Sequence, residues 1–192
     1  MIKRERAQVV VIFAVLLMVV MLLLAVIIDG ARLMLKRQEL TRVASAAGKA
    51  GLIVVGDQMV TQVVKAQTVV ALVTLTPKPT GVLLGPTPTP IPAENDFFGW
   101  INDNQRAILV GTQMRTMVAT IVKGYVEVNG LGSSNSNVSE VEIIYPYQYH
   151  PGDQNLQISV RIEHFFVAVF GSLLEIEDGT ISGRSKQSIP QR

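Results

Sequence analysis

Glu163 and His164 are adjacent, and a carboxylate beside an imidazole is the pairing a general base requires. On an extended strand, however, neighbouring side chains point to opposite faces, so these two can meet only if the backbone bends. Glu175, Glu177 and Asp178 gather three carboxylates beside Gly179, and Glu140 and Glu142 alternate in the same way. Acids in that pattern read as the solvated face and turn of a strand. Cysteine is lacking altogether, and His150 and His164 are the whole histidine complement. That excludes a thiolate site or a cysteine nucleophile and argues against a histidine-based metal centre. Neither a glycine-rich phosphate loop nor a Gly-x-Ser-x-Gly elbow occurs. Asn137-Val138-Ser139 is a glycosylation sequon by pattern, meaningful only in a eukaryotic secretory setting. The expectation is therefore a chain that is not an enzyme and needs no cofactor or metal. Its one charged residue with a special position is Asp29, which ends an uncharged run and stands one helical turn before Arg32.

That run, residues 9–28, dictates the architecture. As a helix it rises about 30 Å, the hydrocarbon thickness of a bilayer. It is longer than the usual signal-peptide core of about 7–15 residues, and no clean small-x-small cleavage site follows it, so a retained anchor is expected. Lys3, Arg4 and Arg6 precede it, while Arg32, Lys36, Arg37 and Arg42 follow, which leaves the positive-inside count close to a tie. The net charge of +2 gives no nucleic-acid surface.

Beyond the run, Leu33, Leu40, Val43, Ala47 and Val54 recur at helical steps, with Arg32, Lys36, Arg37 and Glu39 on the remaining surface. Ala44-Ser45-Ala46-Ala47-Gly48, extended by Ala50 and Gly51, is a small-residue stretch that lets another element approach closely. That element is either the chain's own domain or a copy or partner. Gly56-Asp57 predicts a break, with a further helix over 58–75. Residues 76–92 hold six of the nine prolines and read as an extended spacer rather than a ligand for a proline-binding groove. Asn102 or Asp103 can cap a helix running to about Lys123, with Met114, Met117, Val118, Ile121 and Val122 as its buried stripe and Gly124 at its end.

From Tyr125 the period changes to two. Tyr125-Val126-Glu127-Val128 and Val141, Ile143, Tyr145 alternate, and Pro151-Gly152-Asp153 is a turn. Leu156, Ile158, Val160 and Ile162 then face one way, opposite Gln157, Ser159, Arg161 and Glu163. A last strand includes Ile176 and Ile181. Residues 165–174 are uncharged but too short to cross a bilayer, and read as a buried strand and turn in preference to an apolar flap resting on the membrane or a partner. The fold class is α+β. A basic head (1–8) precedes a transmembrane helix (9–28) and an extended amphipathic helical region (29–75). A Pro/Thr-rich linker (76–92) then leads to an extracytoplasmic domain (93–192) with a helix packed on an antiparallel sheet.

Arg6-Ala7-Gln8, Phe13, Asp29-Gly30-Ala31-Arg32-Leu33, Lys36-Arg37-Gln38-Glu39-Leu40 and the small-residue stretch to Gly51 together resemble the amino-terminal signature of the TadE/TadG-like pilus-assembly proteins. These are minor-pilin-like components of the tight-adherence (Flp-type) pilus machinery. The resemblance covers residues 4–52, and the carboxy-terminal half is similar only loosely. It implies a single-pass protein of the cytoplasmic membrane with its amino terminus in the cytoplasm. Its partners would be the bilayer and other pilin-like or pilus-assembly proteins, and homo-oligomers are compatible with it. The membrane-interface and assembly residues it points to are Asp29, Gly30, Arg32, Ala46, Ala47, Gly48 and Gly51, with Ala7 and Gln8 as a candidate processing site. Two positions depart from the pilin pattern: Ala7 stands where Gly is common, and Ile12 where a Glu is common. The chain is too short for the von Willebrand-type domain that TadG-like relatives can carry. A membrane-tethered module binding a ligand or wall polymer is the alternative function.

Overall fold

The computed structural model describes residues 2–75, 99–132, 135–151, 153, 155–170 and 179–189. The Pro/Thr-rich spacer, Ile176 and the acids Glu175, Glu177 and Asp178 lie outside the described residues. One helix, α1 (Ile2–Leu75), runs without a break for 74 residues, about 110 Å at the usual rise per residue. It is followed by α2 (Asp103–Val110), α3 (Thr112–Val128), β1 (Val138–Ile144), β2 (Gln157–Phe166) and β3 (Gly179–Ser188). The strands form an antiparallel sheet in the order β1-β2-β3.

α1 has two environments. From residue 8 to residue 39 the helix is almost bare, and Val9, Ile12, Phe13, Leu16 and Ile27 are all more than half exposed. From Leu40 onward it is the central helix of the folded unit. Leu40, Ala44, Ala47, Leu52, Val55, Met59 and Val63 are buried in one cluster with Val118 and Val122 of α3 and Ile158, Val160 and Ile162 of β2. Those α1 positions follow helical steps, so one stripe faces inward. The expected stripe is therefore corrected in part. Leu40 and Ala47 are on it, Val43 and Val54 flank it, and Leu33 is exposed. A division into 29–75 and 93–192 does not divide this core, because α1 supplies one wall of it.

The predicted break at Gly56-Asp57 is overturned. An interior glycine costs a helix about 1 kcal/mol, but Val55, Met59 and Val63 on either side are buried, and their packing outweighs it. The predicted helix from Asn102 is found with a complete capping box: Asn102 Oδ1 accepts from the Gln105 amide, and Gln105 Oε1 accepts from the Asn102 amide. It stops at Gly111, which then starts α3. α3 passes through Gly124 to Val128, so the predicted strand at Tyr125–Val128 is helix. Val126 lies four residues after Val122, and both are buried, which satisfies a helical period as well as a strand period. Met117 and Ile121, placed in the buried stripe from sequence, are exposed at 44% and 40%.

The strand at β2 is as expected. Ile158, Val160, Ile162 and His164 face α1, opposite Ser159, Arg161 and Glu163. Glu163 pairs with Arg161 rather than with His164. β3 is a polar strand whose inward side is Ile181, Gly183, Ser185 and Gln187. A Cβ at Gly183 would lie 2.5 Å from the backbone of Leu40 and Thr41, so β3 touches α1 main chain to main chain at this point. At Gly51 a Cβ would meet Val122 at 2.9 Å and Ile158 at 3.1 Å.

Gly183→Ala should therefore destabilise the detergent-solubilised chain by about 2 kcal/mol or more, the scale of an overpacked core. Gly56→Ala, where an added Cβ meets nothing within 4 Å, should be neutral or stabilise by up to about 1 kcal/mol. Thermal unfolding of both variants checks the pair, and equal melting temperatures would contradict the close crossing.

Candidate functional site

The two halves of α1 meet at Asp29, where the apolar run ends. The Asp29 carboxylate accepts two backbone hydrogen bonds from far along the chain, Val169 N–H to Oδ1 at 3.1 Å and Phe170 N–H to Oδ2 at 2.9 Å. Arg32 stands at 4.0 Å, a loose contact beside them. The ion pair that the one-turn spacing of Asp29 and Arg32 allows is thus secondary to a pair of amides some 140 residues away. Nothing in local spacing could reveal those amides.

The direction of β2 explains how the turn reaches Asp29. Ile158 packs at Gly48 and Gly51, the partner of Ile162 on β3 is Gly183 beside Leu40, and residues 169–170 meet Asp29. β2 therefore runs antiparallel to α1, towards the apolar run, and the chain beyond Phe166 emerges at that end. Phe165, Val167 and Val169 are exposed at 42%, 55% and 54%. The expectation that 165–174 is buried is overturned for its described part, residues 165–170.

The remaining predicted site residues separate into two groups. Ala47, Gly48 and Gly51 are buried against the chain's own sheet and α3, and Ala46 is half-buried. The small-residue stretch is thus filled from within, and Ser45 accepts a hydrogen bond from Gln187 of β3 at 3.0 Å. Gly30 is exposed with open space around its Cα, and Arg32 is half-exposed. Gln8 is exposed at the start of the bare half, and Ala7 is helical in its backbone.

His164 is buried on the inner face of β2, and its Nδ1 has no hydrogen-bond partner among the described residues. Burial, reinforced by the nearby Lys36 ammonium, pushes its pKa below the ordinary value, against smaller opposing effects from the Phe165 backbone and Glu39. Its strand neighbours in register are Val138 and Ile181. Beside the start of β1, an open cleft of about 400 Å³ lies between α3 and β1, lined by Lys123, Glu127, Ser139 and Glu140 among others.

Residues 7–71 match the family model described as putative Flp pilus-assembly TadE/G-like. That stretch, about a third of the chain, is similar to the TadE/G-like family. The comparisons with curated proteins and with solved structures each gave no match. The TadE/G-like segment takes in the bare apolar half of α1, Asp29 and every α1 residue of the core, and ends four residues before α1 does. It is a membrane-compatible rod joined to a docking helix, and α1 is long and apolar enough to cross a bilayer.

Two outcomes follow from this geometry. Asp29→Leu removes both acceptors, and hydrogen bonds to a charged group are worth about 1.5–3 kcal/mol each. Amide exchange at Val169 and Phe170 should accelerate at least about tenfold, a change of about 1.4 kcal/mol, while core amides of β2 keep their rates. For His164 the folded pKa lies below the unfolded value, so the unfolded chain binds the extra proton in the acid range. Its contribution is complete above about pH 6.5 and is lost as pH falls through that value towards the depressed one. The melting temperature should drop between pH 7.5 and pH 5.5, and His164→Leu should flatten the part of that slope due to this residue.

Proposed function

We propose that the protein is a single-pass, minor-pilin-like structural component that supports assembly of a tight-adherence pilus, with no catalytic role. Its amino terminus lies in the cytoplasm and its α+β domain outside the cytoplasmic membrane. The observation that carries this reading is the unbroken helix. An apolar rod left bare by its own domain needs lipid or other helices around it. The same helix also forms a wall of the domain's core, so membrane and domain move as one lever. The TadE/G-like match over 7–71 gives that lever its context.

Beyond the membrane exit, α1 carries apolar side chains that its own domain leaves open. Ile53, Val60 and Val64 are exposed at 64%, 50% and 53%. Their spacing of seven and four residues puts them on one stripe, opposite the buried one, where a neighbouring helix can pack. We assign pilus-assembly partners to this stripe rather than to Ala47, Gly48 and Gly51, which the domain itself covers. The second reading, a tethered module for a ligand or wall polymer, would use the open α3–β1 cleft, which lies off the matched segment.

A triple variant, Ile53→Glu, Val60→Glu and Val64→Glu, should fold and insert normally because all three side chains are exposed. Each lost apolar contact costs about 1 kcal/mol or more, so co-purification with pilus-assembly proteins from native membranes should fall at least about tenfold. Undiminished recovery of those partners would count against the assembly role.

A further inference from the structure

We propose that residues 165–170 form an interfacial flap that seats its apolar side chains in the lipid boundary on the domain's side of the membrane, giving the protein a second contact with the bilayer. This rests on the reading of α1 as membrane-spanning. The segment Phe165-Phe166-Val167-Ala168-Val169-Phe170 contains no charged or polar side chain. Three of its large side chains, Phe165, Val167 and Val169, are left open by the domain. The height of the segment is fixed, because Asp29 holds the amides of Val169 and Phe170 at the first residue beyond the apolar run.

Asp29 follows the apolar run directly, on the same helix face as Ala25 and Leu22 about one and two turns before it. The segment it holds therefore lies at the edge of that run, where apolar side chains meet the lipid boundary. Lys36 and the half-exposed Arg32 follow within two turns, at the level of lipid phosphates. Lipid is favoured over a protein occupant by this continuity with the span.

The native chain has no cysteine, so one introduced thiol reports one site. Val167→Cys, Ile108→Cys and Leu17→Cys would each carry an environment-sensitive fluorophore in the full-length protein. The proteins are reconstituted in phosphatidylethanolamine–phosphatidylglycerol vesicles. Ile108 is 49% exposed on α2, which packs near Gln62 at the end of the domain remote from Asp29, and serves as the aqueous reference and as the count of outward-facing domains. The label at 167 should be quenched by spin-labelled lipid, as at 17, and at least about threefold less by external iodide than at 108. Iodide quenching at 167 equal to that at 108, with lipid quenching retained at 17, would overturn the flap and leave the anchor standing. Shielding from both quenchers would assign the surface to a second copy instead and equally overturn the proposal. Loss of lipid quenching at 17 would remove the anchor and the flap together.

Discussion

The contact on which the rest of the structure depends is the crossing of α1 and β3 at Leu40 and Gly183. A side chain at Gly183 would fall 2.5 Å from the helix backbone, so only glycine permits the approach. Gly48 against Gln187, and Ser45 as acceptor of the Gln187 amide, continue the same seam. The small-residue stretch of α1 thus faces a strand whose inward positions are also small or polar. Glycine in regular elements carries an entropic cost, and here it is offset by main-chain proximity and by burial of the large aliphatic residues of β2 and α3 beside the seam.

Because the seam sets the register between helix and sheet, it also sets what meets the end of the apolar run. β2 is locked antiparallel to α1, so His164 falls opposite Lys36 and the turn after Phe166 falls at Asp29. α1 has no break among its described residues, so the orientation of the domain is tied to the direction of the apolar half. A hinge at Gly56 would have separated these. Packing on both sides of that glycine prevents it, and the protein behaves as a rod with a domain built around its far half.

Much of this was legible in the sequence, for reasons that can be assigned residue by residue. The alternation through Ile162 follows a single physical period and is found as β2, and the uncharged run to Ile28 is found as a bare stretch of helix long and apolar enough to cross a bilayer. Val122–Val126 and Tyr125–Val128 satisfy two periods at once, so local pattern alone could not choose the helix that tertiary burial of Val126 selects. β3 was visible only at Ile181, because a strand lined by Gly183, Ser185 and Gln187 has no hydrophobic alternation; its signal was small residues at a period of two. The small stretch at Ala44–Gly51 announced a close approach but not its partner. Asp29 stood out by position, yet its acceptors' use depends on residues brought near only by the whole fold.

Asp29 also shows why an acid suits the place where an apolar rod meets water. A turn that runs from β2 onto an apolar rod carries amides that lose water as they pack there, and an unsatisfied amide in such a place costs several kcal/mol. A helix cannot lend its own carbonyls, since each is engaged within the rod. A short carboxylate rising from the rod offers two acceptors at once, and the amides of Val169 and Phe170 take one oxygen each. Arg32, at the outer side of the same carboxylate, keeps it partnered towards solvent. One side chain thereby ends the apolar run, ties down the turn that follows β2 and closes the chain's path back onto its own first helix.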